Sequence, residues 1–144
     1  MIEVPAAAVL AAELAREADF FSIGTNDLCQ YVMAADRTSV RVASLADPFQ
    51  PAVLRLLGHT VDAARAAGID VAVCGEMAAG PLATPLLLGL GVEEFSVSAH
   101  LIPEVKASIA RWTMPEARRR AEAALAADTA AAVRRILGDP LRNT

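Results

Sequence analysis

Phe20-Phe21-Ser22-Ile23-Gly24-Thr25-Asn26-Asp27-Leu28 is the stretch that decides the fold class of this chain. Strand-favouring residues run into a glycine, a dense polar cluster follows at once, and Leu28–Ala35 then reads as a helix. A strand that empties into Thr-Asn-Asp gathers backbone amides, a side-chain amide and a carboxylate at its C-terminal end. In sheets and barrels of parallel strands, ligands bind at that edge. Arg37 stands ten residues beyond Asp27, a fixed cation able to share an anionic ligand with a metal-bound carboxylate. The plainer alternative is a polar turn in which Asp27 serves only as a helix N-cap.

Working outward toward the N-terminus, Met1–Val4 leads directly into Pro5 and the alanine-rich run Ala6–Ala18. Proline suits the first turn of a helix, where its missing N–H costs nothing. Val9, Leu10 and Leu14 are expected to form its buried stripe. Strand, helix and the Phe20–Gly24 strand then make a parallel unit with a right-handed crossover. Toward the C-terminus, residues 38–49 read as loop, and Pro51 opens a helix to about Ala67, ended by Gly68. Its Val53, Leu54, Leu57 and Val61 recur at helical spacing and should face the sheet.

Ile69–Cys74 is the next strand, followed by a short buried helix at Leu82–Leu90, irregular around Pro85. Glu94–Ser98 is the last strand, with a helix from about Ile102 to Arg111 packing back. Thr113 and Glu116 form a capping box for a helix to about Ala127. Asp128 is expected to cap a final helix, Thr129–Leu137, stopped by Gly138 and Pro140. Arg118-Arg119-Arg120, among Glu116 and Glu122, reads as a solvated, salt-bridged face rather than an anion site.

The pattern is therefore α/β, four parallel β/α units over 1–112 and a helical tail over 113–144. A complete (β/α)8 barrel takes roughly 250 residues, so 144 residues hold about half of one. The formal net charge of −4 and the lack of a basic block give no support for nucleic-acid binding. The longest apolar runs fall short of a membrane span, and a glutamate stands where a secretory leader would be basic, so the expectation is a cytoplasmic protein with no membrane partner. Cys29 and Cys74 match neither a zinc pattern nor a redox pair and are expected to be free thiols. His59, within a helix, and His100, after the last strand, are read as surface, packing or loop residues.

Phe21-Ser22-Ile23-Gly24-Thr25-Asn26-Asp27-Leu28-Cys29-Gln30-Tyr31, continuing to Ala35-Asp36-Arg37, resembles a signature of the phosphoenolpyruvate-utilising enzymes. Within them it is most similar to the C-terminal barrel of Enzyme I, the phosphoenolpyruvate–protein phosphotransferase of the sugar phosphotransferase system. The resemblance runs from Ile2 to at least Lys106 and implies the C-terminal half of a (β/α)8 TIM barrel. It implies Mg²⁺ held by Glu3, in Ile2-Glu3-Val4-Pro5, and by Asp27. Two carboxylates suit that ion, which fills its octahedron with substrate oxygens and water.

It also implies phosphoenolpyruvate contacts from Asn26, Asp27 and Arg37, and a catalytic role for Cys74 in Cys74-Gly75-Glu76. There a thiol gives its proton to the methylene carbon of the enolate left once the phosphoryl group departs. Such a group suits the task, since an ordinary thiol, titrating near 8.5, is mostly protonated at neutral pH. Glu76 is expected to orient that thiol or to form a salt bridge nearby.

Implied partners are phosphoenolpyruvate and pyruvate, the phosphohistidine domain that accepts the phosphoryl group, and the phosphocarrier protein of the system. Neither His59 nor His100 lies in anything like that domain's motif, and Cys29 stands where relatives usually carry threonine. A half-barrel would expose two strand edges and an apolar inner face, so a homodimer is expected, through barrel closure or through outer helices. Two other readings are a non-catalytic half-barrel interaction module and a fragment of a pyruvate phosphate dikinase or phosphoenolpyruvate synthase.

Overall fold

Successive side chains of an extended chain point to opposite sides, and Phe21 and Ile23 are both buried while Phe20 is exposed. In the computed structural model, which describes residues 1–138, they lie on strand β1 (Phe20–Gly24). β1 pairs in parallel with β2 (Asp70–Cys74), with Gly24 level with Cys74, and β2 pairs in parallel with β3 (Glu94–Phe95). The sheet order is β1-β2-β3. Ile2 extends it on the free side of β1 through a single parallel bridge to Ile23, its N–H donating to Ser22 O (2.8 Å) and its C=O accepting from Gly24 N–H (2.9 Å). Four segments thus run parallel, but the first is one bridged residue rather than the expected strand. The last is two residues rather than the expected Glu94–Ser98.

The helical covering follows from burial of one sheet face. α4 (Pro51–Ala67) lays Leu54, Leu57 and Val61 into the core with Phe21, Ile23, Val71 and Val73, as its spacing predicts, while Val53 is buried outside that cluster. Pro51 starts it, and Gly68 closes it in the left-handed conformation at φ +73°. The alanine-rich run forms two short helices, α1 (Pro5–Val9) and α2 (Ala11–Leu14), broken at Leu10. Here the expected stripe is wrong. Ala8, Ala11 and Ala15 are buried, whereas Val9 is 60%, Leu10 52% and Leu14 39% exposed. Both helices lie against α4, and alanines at the contact let the backbones approach closely.

α3 (Thr25–Met33) begins directly after β1, three residues earlier than the sequence suggests, so Thr25, Asn26 and Asp27 form its first turn. α5 (Glu76–Ala79), which the pattern did not announce, follows β2. α6 (Thr84–Leu90) carries Pro85 in its first turn, so the proline starts the helix instead of disturbing it. A short 3-10 turn, Ala43–Leu45, interrupts the expected loop, and another, Ala99–Leu101, leads into α7 (Ile102–Ile109).

The tail follows as expected. α8 (Met114–Ala126) opens on the Thr113/Glu116 capping box and packs against α6, where Gly89 allows close approach to Ala117. α9 (Ala130–Gly138) is capped by Thr129, whose hydroxyl accepts from Ala132 N–H (3.1 Å), rather than by Asp128. Gly138 is the last residue of that helix, and Pro140 lies outside the described residues. Arg118 and Arg119 are exposed, while Arg120 turns inward over the Trp112 ring (5.5 Å) and donates to Ile136 O. Two of the three arginines are therefore exposed, as expected, and no salt bridge to either is found among the described residues.

The sheet face opposite α4 presents Ser22, Gly24, Ala72 and Cys74, with Asp70 and Phe20 toward its N-terminal end. Its side chains are small apart from the exposed Phe20 and Asp70. No helix among the described residues is long and apolar enough to cross a membrane.

Candidate active site

The C-terminal ends of β1 and β2 bring together residues nearly fifty positions apart. Thr25, the first residue of α3, is buried, and its hydroxyl donates to Cys74 O (2.8 Å). Asn26 Oδ1 accepts the Glu76 N–H (3.1 Å). Gly75, between those two anchored residues, sits at φ +94°, ψ −174°, a region that only glycine adopts readily. A Cβ there would lie 2.7 Å from Thr25 Oγ1 and 2.9 Å from Asn26 Oδ1. The Cys74 thiol contacts Ile23 O (3.5 Å) and Ser22 Oγ (3.9 Å) and is only partly covered. Glu76 thus enters the site through its backbone. Its carboxylate is exposed, and no salt bridge to it is found among the described residues.

Asp27 projects from the same helical turn, where a carboxylate also suits the positive end of the helix dipole. Arg37 Nη2 lies 3.4 Å from Asp27 Oδ1, both side chains being close to half exposed. The chain reaches Arg37 by a left-handed turn at Ala34 (φ +49°), and Gln30 Oε1 accepts the Arg37 N–H (3.3 Å). The Asp36 carboxylate accepts from both the N–H and the hydroxyl of Thr38 (2.8 Å each), which hold it below the usual carboxylate range. Glu3 follows the bridged Ile2, and its carboxylate rests against Gly24, where a Cβ would meet Glu3 Oε2 at 2.9 Å. Glycine at position 24 therefore makes the space in which that carboxylate lies.

The donor set is two carboxylates, with no cluster of three or more His, Cys, Asp or Glu poised for a metal among the described residues. Mg²⁺ takes one or two carboxylates from protein when a phosphate-bearing substrate supplies the remaining oxygens, and Glu3 and Asp27 are donors of that chemical type. Cys29, by contrast, is buried inside α3, and burial, with the Asp47 charge second, pushes its thiol up to about 11. His59 and His100 are exposed.

Cavities lie at both ends of the strands. One, of about 410 Å³, lies beside the cluster between Asn26, Gly75, Glu76 and Ala79 on one side and Ser96, Val97, Ser98 and Leu101 on the other. The other, of about 460 Å³, lies at the opposite end of the strands and is lined by Asp19, Asp70, Glu93 and Glu94. Asp70, through a hydrogen bond and its charge, raises the Glu93 carboxyl above its ordinary value. Four carboxylates would repel a phosphate, so the larger cavity is the poorer candidate for an anionic substrate. The serines of the β3 end carried no recognisable motif, and only the folded chain brings them to this rim.

A family model described as "PEP-utilising enzyme, PEP-binding domain" matches residues 1–114. The chain belongs to the PEP-utilising enzyme family. Among curated members, the phosphoenolpyruvate-protein phosphotransferase of Geobacillus stearothermophilus is 53% identical over 130 residues, which is 90% of this chain and 22% of that protein. The same-named protein of Haloferax volcanii is 53% identical over 137 residues, 95% of this chain and 24% of its own length. The multiphosphoryl transfer protein of Xanthomonas campestris pv. campestris is 51% identical over 134 residues, 93% of this chain and 16% of that protein. The chain thus spans less than a quarter of the PEP-utilising relatives it matches. The expected resemblance is therefore borne out at the level of the family.

Proposed function

We propose that this chain is the substrate-binding, proton-donating portion of a phosphoenolpyruvate–protein phosphotransferase. Within such an enzyme, the phosphoryl group passes from phosphoenolpyruvate to a histidine on a separate domain, and from there to a phosphocarrier protein. The observation that carries the proposal is the joining of the Asn26–Asp27 turn to the Cys74–Glu76 turn on one rim, with Arg37 beside Asp27. In this reading residues 1–112 are four β/α units, the C-terminal half of a (β/α)8 barrel, residues 113–144 are a tail, and the protein works in the cytoplasm. Open edges at Ile2 and β3 favour a homodimer.

Each residue has a chemical task. The Arg37 guanidinium presents a planar fork of donors to phosphate oxygens, and its exposed pairing with Asp27 is weak enough to exchange for them. Asn26 has its Oδ1 committed to Glu76 N–H, which leaves the Nδ2 hydrogens to face a ligand oxygen. The first N–H groups of α3, unpaired within the helix, add a positive cradle. Glu3 and Asp27 would hold Mg²⁺, which when bound neutralises charge on the transferring phosphoryl group.

As the bond between phosphorus and the bridging oxygen breaks, the electron pair stays with the oxygen and leaves the enolate of pyruvate. Cys74 gives its proton to the methylene carbon, the carbonyl of pyruvate forms, and the thiolate recovers a proton from water. Titration calorimetry of the chain with phosphoenolpyruvate or oxalate should show binding that requires Mg²⁺ and is abolished in Asp27→Ala while the fold survives. Equal binding by the parent and the variant would overturn the assignment.

A further inference from the structure

The Cys74 carbonyl sits at the junction of a strand and a sharp turn, the place where a thiol placed for proton transfer most needs fixing. Beyond the β1–β2 ladder, it accepts a hydrogen bond from the Thr25 hydroxyl, 2.8 Å away and buried. The neighbouring Asn26 takes the N–H of Glu76 (3.1 Å), so two consecutive residues of one helical turn grip the chain on either side of Gly75. Gly75 packs against both grips, leaving no room for a Cβ. The next residue of that helical turn is Asp27, paired with Arg37.

We propose that Thr25 is a positioning residue for Cys74, locking the Cys74–Glu76 turn to the helical turn that carries Asn26 and Asp27. It acts through the backbone and touches no substrate. The lock makes the separation between the proton donor and the phosphate-binding turn a property of one rigid unit. Without the hydroxyl, Cys74 O loses that side-chain bond, and the turn keeps the ladder pairing of Gly24 with Cys74, the bond from Ala78 N–H to Gly75 O, the Asn26 bond and the thiol's own weak contacts with Ile23 and Ser22. Displacement of a reacting group by about 1 Å can cost on the order of a hundredfold in rate, which is why such a lock matters. The proposal rests on the reading of Cys74 as proton donor, but the lock itself is a structural statement with its own test.

That test is alkylation of the chain with iodoacetamide, followed residue by residue by mass spectrometry across pH 7–9. Thr25→Val keeps the volume of a buried side chain and removes only the hydroxyl. Loss of one hydrogen bond of ordinary strength should speed Cys74 alkylation by about fivefold. Thr25→Ser should return the rate and its pH profile to those of the parent, while buried Cys29 stays slow in every variant. Should Thr25→Val fail to fold, Thr25→Ala carries the same expectation. Unchanged Cys74 alkylation in a folded Val or Ala variant, or a Ser variant behaving like Val, overturns the lock. Protection of Cys74 by Mg²⁺ with oxalate tests the substrate reading separately. Faster alkylation without protection would keep the lock and remove the assignment of Cys74 to this chemistry.

Discussion

Replacing Gly75 by alanine tests the rim geometry most sharply, because two separate effects act in the same direction. The backbone at φ +94°, ψ −174° lies where a residue with a Cβ is strained, at a cost of about 1–3 kcal/mol. The new methyl would also stand 2.7 Å from Thr25 Oγ1 and 2.9 Å from Asn26 Oδ1. Relieving those contacts breaks or lengthens two hydrogen bonds, each worth about 1 kcal/mol net. Against this, alanine lowers the entropy of the unfolded chain, which returns about 0.4–1 kcal/mol. The sum is a loss of about 2–4 kcal/mol, or roughly 6–15 °C in Tm for a domain of this size.

Gly68→Ala is the matched control. Its φ is +73°, and nothing stands within 4 Å of the added Cβ, so only the left-handed backbone is penalised. That variant should lose about 1 kcal/mol, and at most about 1.6. Thermal unfolding followed by circular dichroism at 222 nm compares them directly. Equal losses in the two variants would mean that the contacts to Thr25 and Asn26 contribute nothing, and the account of the rim as an interlocked turn would fail.

Arg134 Nη2 lies 2.7 Å from Asp47 Oδ1, and its guanidinium sits 4.5 Å above the Phe49 ring, pinning α9 to the loop that follows Arg37. Arg134→Ala should therefore cost about 1–2 kcal/mol by chemical denaturation, and no change in midpoint would refute the clamp. Cys29 keeps its proton up to about 11 when folded, against 9.0 as the ordinary value, so the folded chain binds more protons between those limits. Stability fully present below 9 should then fall as pH rises toward 11, by up to about 1.4 kcal/mol per unit, and Cys29→Thr should flatten that slope. An identical slope in the variant would place the titration elsewhere. Sedimentation at micromolar concentration should show a dimer or larger assembly, and a stable, dispersed monomer would remove the assembly expectation.

The features legible in the sequence were those encoded over short spans. The α4 stripe is a helical period with a proline before it and a glycine after it, and the Thr113/Glu116 box needs only four residues to be recognised. Parallel pairing of β1 with β2 followed from the alternation of strands and helices. What the sequence concealed depends on partners far along the chain. α3 starts at Thr25 rather than Leu28 although Thr-Asn-Asp looks like a turn, since its polar side chains are engaged with residues 74 and 76 rather than ending the helix. The stripe on α1 and α2 was misread because hydrophobicity ranked Val9, Leu10 and Leu14 above Ala8, Ala11 and Ala15. At a close helix contact, size decides instead, and the small residues are the buried ones.

The same distinction separates the residues that resemblance could name from those it could not. Glu3, Asn26, Asp27, Arg37 and Cys74 are side chains whose chemistry suits phosphoenolpyruvate, so a motif picks them out one at a time. Thr25 and Gly75 have no such chemistry to offer; they matter only through where the Cys74 carbonyl and the Glu76 N–H fall. A site of this kind is two local turns, each readable by itself, and a set of backbone contacts between them that appears only once β1 and β2 lie side by side. The proposed proton donor and the proposed anion-binding turn follow strands and lie nearly fifty residues apart in sequence. Their mutual placement is therefore set by the sheet register that puts Gly24 level with Cys74 and by the hydroxyl that closes the gap. If so, substitutions that shift this register should disturb proton transfer even when every residue the motif names is left in place.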